Sequence, residues 1–365
     1  APLLARHCPI LAERHAAALV GWGSEVLGHD DAYSRAYGWG PRVVLFLTKA
    51  DYAAWRERLA SVLSTHVPPS YLGHPTRYTD PSQGPPKPTL ASEGRLQISI
   101  TTAARLARRY LWLKDLSLPD PGLSARDWLT LPEAGLLRIT AGEVYHDGVG
   151  EVTALRRYFS AYPDDVWRYR LAHTWTALAW DVDLIGLCAA RGDTLSARIA
   201  TTRSVERLIA LTFLLNRVYQ PGYLKWTSRE FHKLVHLAPE VGPRLEAALV
   251  SSAPEAALTQ LSPVLDRLIA YQCKVAGLPA LNCRRPPHLD RGFFERDLSP
   301  LIEELKASIT GELAGLSCKV GAVDQWVSDQ DLLMSPAHLH VLGRIYDAGD
   351  PTAACFEPSA TEEFL

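Results

Sequence analysis

Two clusters of titratable side chains have the types and spacing to do chemistry. His29, Asp30 and Asp31 stand side by side in GSEVLGHDDAYSRAYGWGPRV. Three such neighbours form a general acid/base set, because adjacent charges push one another's pKa values apart. The competing structural reading is that an Asp in a Gly-flanked turn bonds nearby backbone N–H groups. Glu143, His146 and Asp147 form the second cluster, in GEVYHDG. Spacings of three and four residues put them on one face of a helical turn, near enough to share protons. The alternative is a helix end carrying a salt-bridged histidine. If this segment packs against the glycines at 21 and 23, both clusters face one pocket lined by Tyr33, Tyr37, Trp39 and Tyr145, with Ser24 and Arg42 completing the binding set.

Other candidates are weaker. His232 and His236 lie one helical turn apart, but HKLVH has Lys233 where a zinc protease needs a general-base Glu. His338 and His340 are two apart in a helical context and so point to different faces. Lys225 in YLKWTS is a candidate phosphate contact, set against a snorkelling surface lysine beside Trp226. No metal site and no cofactor is expected.

The elements that must position these groups alternate in type over the first part of the chain. Leu4, Cys8, Leu11, Ala18 and Leu19 have helical spacing, which predicts a helix over 3–20 ending in the turn Gly21–Gly23. Val43 to Leu47 is an apolar run expected to be a buried strand, and 51–63 reads as a helix capped by Thr48. Prolines and glycines dominate 67–94, an ordered loop or lid. Leu96, Ile98 and Ile100 alternate with Gln97 and Ser99, the pattern of a half-exposed strand with the latter two outward, and 102–112 returns to helix. Beyond Asp147 the strand pattern stops and helices follow at 166–190, 194–218, 227–237, 242–250, 254–276 and 298–313. The Leu208–Leu215 stripe reads as core.

Composition narrows the function classes. With 365 residues the chain exceeds a usual single core, so two domains are expected. Its 38 basic and 40 acidic residues nearly cancel, which leaves no electrostatic footprint for nucleic acid or an anionic membrane surface. Six scattered cysteines with no CxxC pair read as reduced thiols. No run of about 18 apolar residues and no signal-peptide pattern is seen. A cytoplasmic protein with a hydrophobic small-molecule partner is the expectation, and an oligomer stays open.

The Gly21–Leu47 stretch resembles the nucleotidyltransferase fold, in which a Gly-Ser pair opens a helix that holds nucleotide phosphates and two acids one residue apart hold two metal ions. More closely, GSEVLGHDDAYSRAYGWGPRV resembles a bacterial family built on that fold, domain of unknown function 4037, whose signature is of the GSE-LG-DD-SRDHDWGPR type. The resemblance continues through TAGEVYHDGVGEVTALR, YPDDVWRYRLAHTW, the Gly192-Asp193 turn and Lys225-Trp226. It implies an α+β fold: a nucleotidyltransferase-like mixed sheet with flanking helices over 1–150, an all-helical domain over 151–349 that closes one side of the cleft, and a loose tail over 350–365. This chain departs from the pattern where the metal pair belongs, with Ala36 and Gly38 in place of the two acids and Tyr37 between them. Neither can bind a metal ion. The expected function is therefore a repurposed, metal-independent enzyme performing acid/base chemistry, dehydration with conjugate addition or cyclisation, on a molecule such as a polyketide. Two alternatives stay open: a magnesium-dependent nucleotidyltransferase that recruits Asp30 and Asp31, and a non-catalytic protein that binds a ligand or partner.

Overall fold

The apolar run Val43–Leu47 is an inner strand of a four-stranded mixed sheet in the computed structural model, which describes residues 2–34, 39–80, 87–113, 116, 122–283 and 296–347. In chain order the strands are β1 (His15–Leu19), β2 (Val43–Leu47), β3 (Ile98–Thr101) and β4 (Glu143–Asp147). Across the sheet their order is β3-β2-β1-β4. β1 runs antiparallel to both neighbours, with His15 opposite Leu47 and Ala17 opposite His146, while β2 runs parallel to β3 with Val43 opposite Ile98. The register of β1 against β4 shifts between Ala17 and Ala18.

This sheet belongs to a unit formed by Ala1–Gly122 and Glu133–Ala161. One side of it carries a hydrophobic cluster of Leu4, Cys8, Leu11, Leu45, Leu47, Leu59 and Leu63, with Ala17, Ile98 and Ile100 packed against it. Leu59 and Leu63 come from α2 (Lys49–His66), capped as expected by Thr48, whose Oγ1 accepts from Asp51 N at 3.1 Å. Asp51 in turn accepts from Arg14 at 2.9 Å. The unit also holds α1 (Pro2–His7), α3 (Ala103–Leu111, capped by Thr102), α4 (Glu133–Thr140) and α5 (Glu151–Tyr158), and α3 packs on α4. The described part of the proline-rich stretch is tied down by short ladders, Ser70–Tyr71 on His74–Pro75 and Arg77–Tyr78 between Pro88–Thr89 and Arg95–Leu96.

Two expectations are overturned here. The helix expected over 3–20 stops at His7, passes through a 3-10 turn at Pro9–Leu11 and becomes β1. Pro9 cannot supply the helical N–H, and the alanines of HAAAL are held as a strand by ladders on both sides, overriding their helical propensity. Likewise Glu143, His146 and Asp147 lie on a strand, where the helical spacing that grouped them no longer applies. Val144 and Tyr145 favour a strand, and β1 offers the open edge that pairs with it.

The second unit, Leu123–Pro132 and Tyr162–Leu365, is helical among its described residues. Its elements include α6 (Asp164–Ala189), α7 (Thr194–Leu215), α8 (Leu224–Phe231), α9 (Ala238–Val250), α10 (Pro254–Ala276) and α11 (Ser299–Ala307). α6 and α7 pack along each other; Asp193 caps α7 by accepting from Ser196 N at 2.9 Å. The Leu208–Leu215 stripe is core, with Leu208, Leu211 and Phe213 fully buried. Relative to the sequence reading, α8 begins and ends earlier and α11 stops at Ala307, before a 3-10 turn at Gly311–Leu313. No described helix is long and apolar enough to cross a membrane. Among the described residues Cys8, Cys188, Cys273, Cys283 and Cys318 are free thiols.

His15 gives the sheet a pH dependence. It is buried, Nδ1 lies 2.9 Å from the Leu11 carbonyl and its ring meets that of His146 at 4.4 Å. Burial above all, with the His146 charge adding to it, holds its pKa below the ordinary histidine value. The folded state therefore binds fewer protons than the unfolded chain at this position, so the stability His15 contributes is present above about pH 6.5 and is lost as the pH falls below it. The expected outcome is a lower urea midpoint at acidic than at neutral pH, with a smaller difference in His15→Gln; denaturation monitored by circular dichroism at the two pH values checks it.

Candidate functional site

The chain leaves β1 through Gly21-Trp22-Gly23 and enters a 3-10 turn at Ser24–Val26. Both glycines have positive φ, 100° and 130°, a region that side-chain-bearing residues avoid. A side chain at either position would also displace a neighbouring one. A Cβ on Gly21 would lie 2.5 Å from the Tyr110 hydroxyl, and one on Gly23 would lie 2.5 Å from Glu25 Oε2. Glu25 is engaged with Arg42 at 2.6 Å, and both side chains are largely buried, at 16% and 14% exposure. The Arg42 guanidinium also donates to the Trp22 carbonyl and sits 5.7 Å from the centroid of the Trp22 ring. The ion pair thus binds the Gly-Trp-Gly turn to the residue that precedes β2.

Beside this turn, on the side of the sheet away from the hydrophobic cluster, is a cleft of about 230 Å³. Its floor is Val44 of β2 with Gln97, Ser99 and Thr101, the residues that alternate with the inward Leu96, Ile98 and Ile100. Trp22 and Arg42 form one wall, and Arg105, Arg109 and Tyr110 of α3 form another. The Arg105 guanidinium rests 5.0 Å from the Tyr52 ring centroid; those of Arg109 and Arg138 lie 5.7 and 5.8 Å from that of Tyr110. Among the described residues no Asp, Glu or His lines it. With Arg42 paired to Glu25, the two guanidiniums of Arg105 and Arg109, an amide and hydroxyls attract an anion and repel a cation. The divalent ions implied by the family resemblance do not fit such a donor set, since they take carboxylate and carbonyl oxygens. Among the described residues no group of three or more His, Cys, Asp or Glu could hold a metal ion.

The anticipated residues fall in several places. Arg42 is in the cleft. Ser24 is buried in the turn, where its carbonyl accepts from His29 N at 2.8 Å, and His29 is buried too. Asp30 accepts from Trp39 Nε1 at 2.9 Å. Asp31 Oδ1 accepts from Tyr33 N, Ser34 N and Ser34 Oγ at 3.1, 3.0 and 2.9 Å, closing its own turn. Tyr33 is exposed, and Trp39 meets His74 edge-on with ring centroids 5.4 Å apart. Tyr37, Ala36 and Gly38 lie outside the described residues. Glu143 and Tyr145 are exposed on β4, where the partial desolvation that Tyr145 still undergoes and then the Glu143 charge raise its pKa. His146 pairs with Ala17, on the cluster side of the sheet. Its Nε2 is buried without a hydrogen-bond partner. Asp147 accepts from Gly150 N, Thr153 N and Thr153 Oγ1 at 2.9, 2.7 and 2.7 Å, closing the turn into α5.

Lys225 belongs to the helical unit, its Nζ 4.9 Å from the Trp226 ring centroid. α8 ends at Phe231, so His232 and His236 do not share a helix face. Trp22, Gln97, Ser99, Thr101, Arg105, Arg109 and Tyr110 were not among the anticipated site residues. For α3 the available signal was the four-residue spacing of Arg105 and Arg109 in a segment otherwise read only as helix.

A family model described as a domain of unknown function, DUF4037, matches residues 128–227. The matched part contains Thr140–Arg156, Tyr162–Trp175 and Lys225-Trp226, and lies outside the Gly21–Leu47 stretch. No curated protein and no solved structure matches the chain.

The tight fit of Gly23 against the ion pair is testable. Gly23→Ala is expected to cost roughly 1–3 kcal/mol, the range for a strained positive-φ residue. Part of that cost comes from the clash with Glu25, so a urea-denaturation double-mutant cycle with Glu25→Ala should show a coupling of at least about 0.5 kcal/mol.

Proposed function

We propose that the α/β unit has nucleotidyltransferase ancestry and that its cleft now takes a hydrophobic organic acid without the help of a metal ion. The observation that carries this reading is the lining itself: Arg105 and Arg109, with which no carboxylate pairs among the described residues, beside an Arg42 already held by Glu25. A guanidinium presents its N–H groups as a fork that matches a carboxylate, and so supplies the charge neutralisation a metal ion gives in the ancestral chemistry. The ancestry is supported by the Gly-Ser turn after β1 and by the mixed strand order around β2. Apolar groups of Val20, Val44 and Leu106 beside the guanidiniums suit an acid with a hydrophobic body.

A second reading adds catalysis, the acid/base dehydration or cyclisation of a polyketide-like acid. It is favoured by Tyr110, the phenol that lines the cleft with two guanidiniums near its ring. Guanidiniums directed at a developing enolate oxygen would lower the barrier to proton removal. In this reading Tyr110, and not the His29 or Glu143 cluster, is the acid/base group.

Isothermal titration with 2-naphthoate and with neutral 2-naphthol tests the binding claim. One molecule of naphthoate per chain is expected, with naphthol much weaker and with Arg105→Gln/Arg109→Gln reducing naphthoate affinity by about tenfold or more, the loss expected for a charge-assisted contact. Equal affinity for the acid and the alcohol, or an unchanged double variant, would overturn it.

A further inference from the structure

We infer that the acid bound in the cleft is planar and conjugated, stacking its ring system on Trp22 while its anionic group meets Arg105 and Arg109. This rests on the reading of the cleft as an organic-acid site and specifies the class of acid. Trp22 lines the cleft yet remains 49% exposed. An indole left half in water forgoes much of its hydrophobic stabilisation. The backbone is nevertheless committed to holding it there. Trp22 stands between two glycines at φ 100° and 130°, conformations that residues with a side chain avoid.

The ring also has a fixed neighbour. Arg42 lies 5.7 Å from its centroid and is itself held by Glu25 and by the Trp22 carbonyl. That guanidinium is therefore already neutralised, and its remaining role at the cleft is to anchor the indole. What the wall offers a ligand is a flat, pre-oriented aromatic surface, which loses little conformational freedom on binding.

The opposite wall supplies the charge. Arg105 and Arg109 stand one helical turn apart on α3, an arrangement that destabilises a helix through like-charge repulsion. Among the described residues no carboxylate pairs with either guanidinium. A bound anion relieves that repulsion. Between the walls, a cleft of about 230 Å³ lies below the roughly 300–1,000 Å³ of drug-sized pockets. It has room for one or two fused rings, or for the terminal conjugated part of a longer molecule. Carboxylate and phosphate monoester share the chemistry that the arginine pair recognises.

Competition titrations separate the terms. 2-Naphthoate should bind about three- to tenfold more tightly than its saturated counterpart decalin-2-carboxylate, the range an aromatic pair supplies. Trp22→Leu should erase that preference and Trp22→Phe should keep most of it, while Arg105→Gln/Arg109→Gln should weaken both acids alike. 2-Naphthyl phosphate binding more tightly than naphthoate would assign the head group as a phosphate monoester, and the reverse order as a carboxylate; either supports the inference. Equal affinity for the flat and the saturated acid, with both lost in the arginine variant, would overturn planarity and leave the organic-acid reading intact. Absence of binding by either acid would overturn both.

Discussion

The ion pair between Glu25 and Arg42 is the constraint on which the rest of the site depends. At 2.6 Å and with both side chains mostly buried, it cannot be treated as a solvated surface pair. Removal of either partner strands a charge, so the two are bound to persist together. Gly23, at φ 130°, lies against both partners of the pair, the Trp22 carbonyl is held by the same guanidinium, and the residue before β2 is thereby pinned to the turn that follows β1. A turn that by residue type reads as a phosphate loop is in this molecule the anchor of an aromatic wall.

The sheet divides labour between its two sides. Leu96, Ile98 and Ile100 seal the hydrophobic cluster, and the alternate residues Gln97, Ser99 and Thr101 furnish a polar floor. Period-two alternation alone makes this division, so cleft and core are built by one strand and cannot slip in register independently. On the far side the ring of buried His15 meets that of His146 at a tilt of 35°, and its burial accounts for a weakly basic imidazole that takes no part in the cleft. Asp31 and Asp147 spend their carboxylates on turns and on the entry to α5, where an ionised side chain satisfies several backbone donors at once.

Much of this was legible in the residues. VVLFL as a buried strand, Thr48 as a cap, the outward Gln97 and Ser99, and the helical run after Asp147 all follow from local pattern and capping chemistry. β1 was hidden because HAAAL has helical propensity and becomes a strand only through its neighbours, and EVYHD was hidden because its spacing suits a helix face as well as a strand. The site was half legible. Arg42 was singled out, but Arg105 and Arg109 have an ordinary helix-surface spacing, and only the fold of α3 beside β3 shows that they look onto a common cleft with Trp22. The acidic clusters drew attention through their chemistry, whereas the hydrogen bonds that occupy Asp30, Asp31 and Asp147 exist only in the folded geometry.

Whether guanidiniums have replaced the metal ions is decided most directly by isothermal titration of the intact chain with ATP in the presence of magnesium, repeated with the magnesium chelated. An arginine-lined cleft without carboxylates predicts no magnesium-dependent heat, and weak anion binding that persists unchanged under chelation. Binding on the order of micromolar that appears with magnesium and vanishes with the chelator would contradict it.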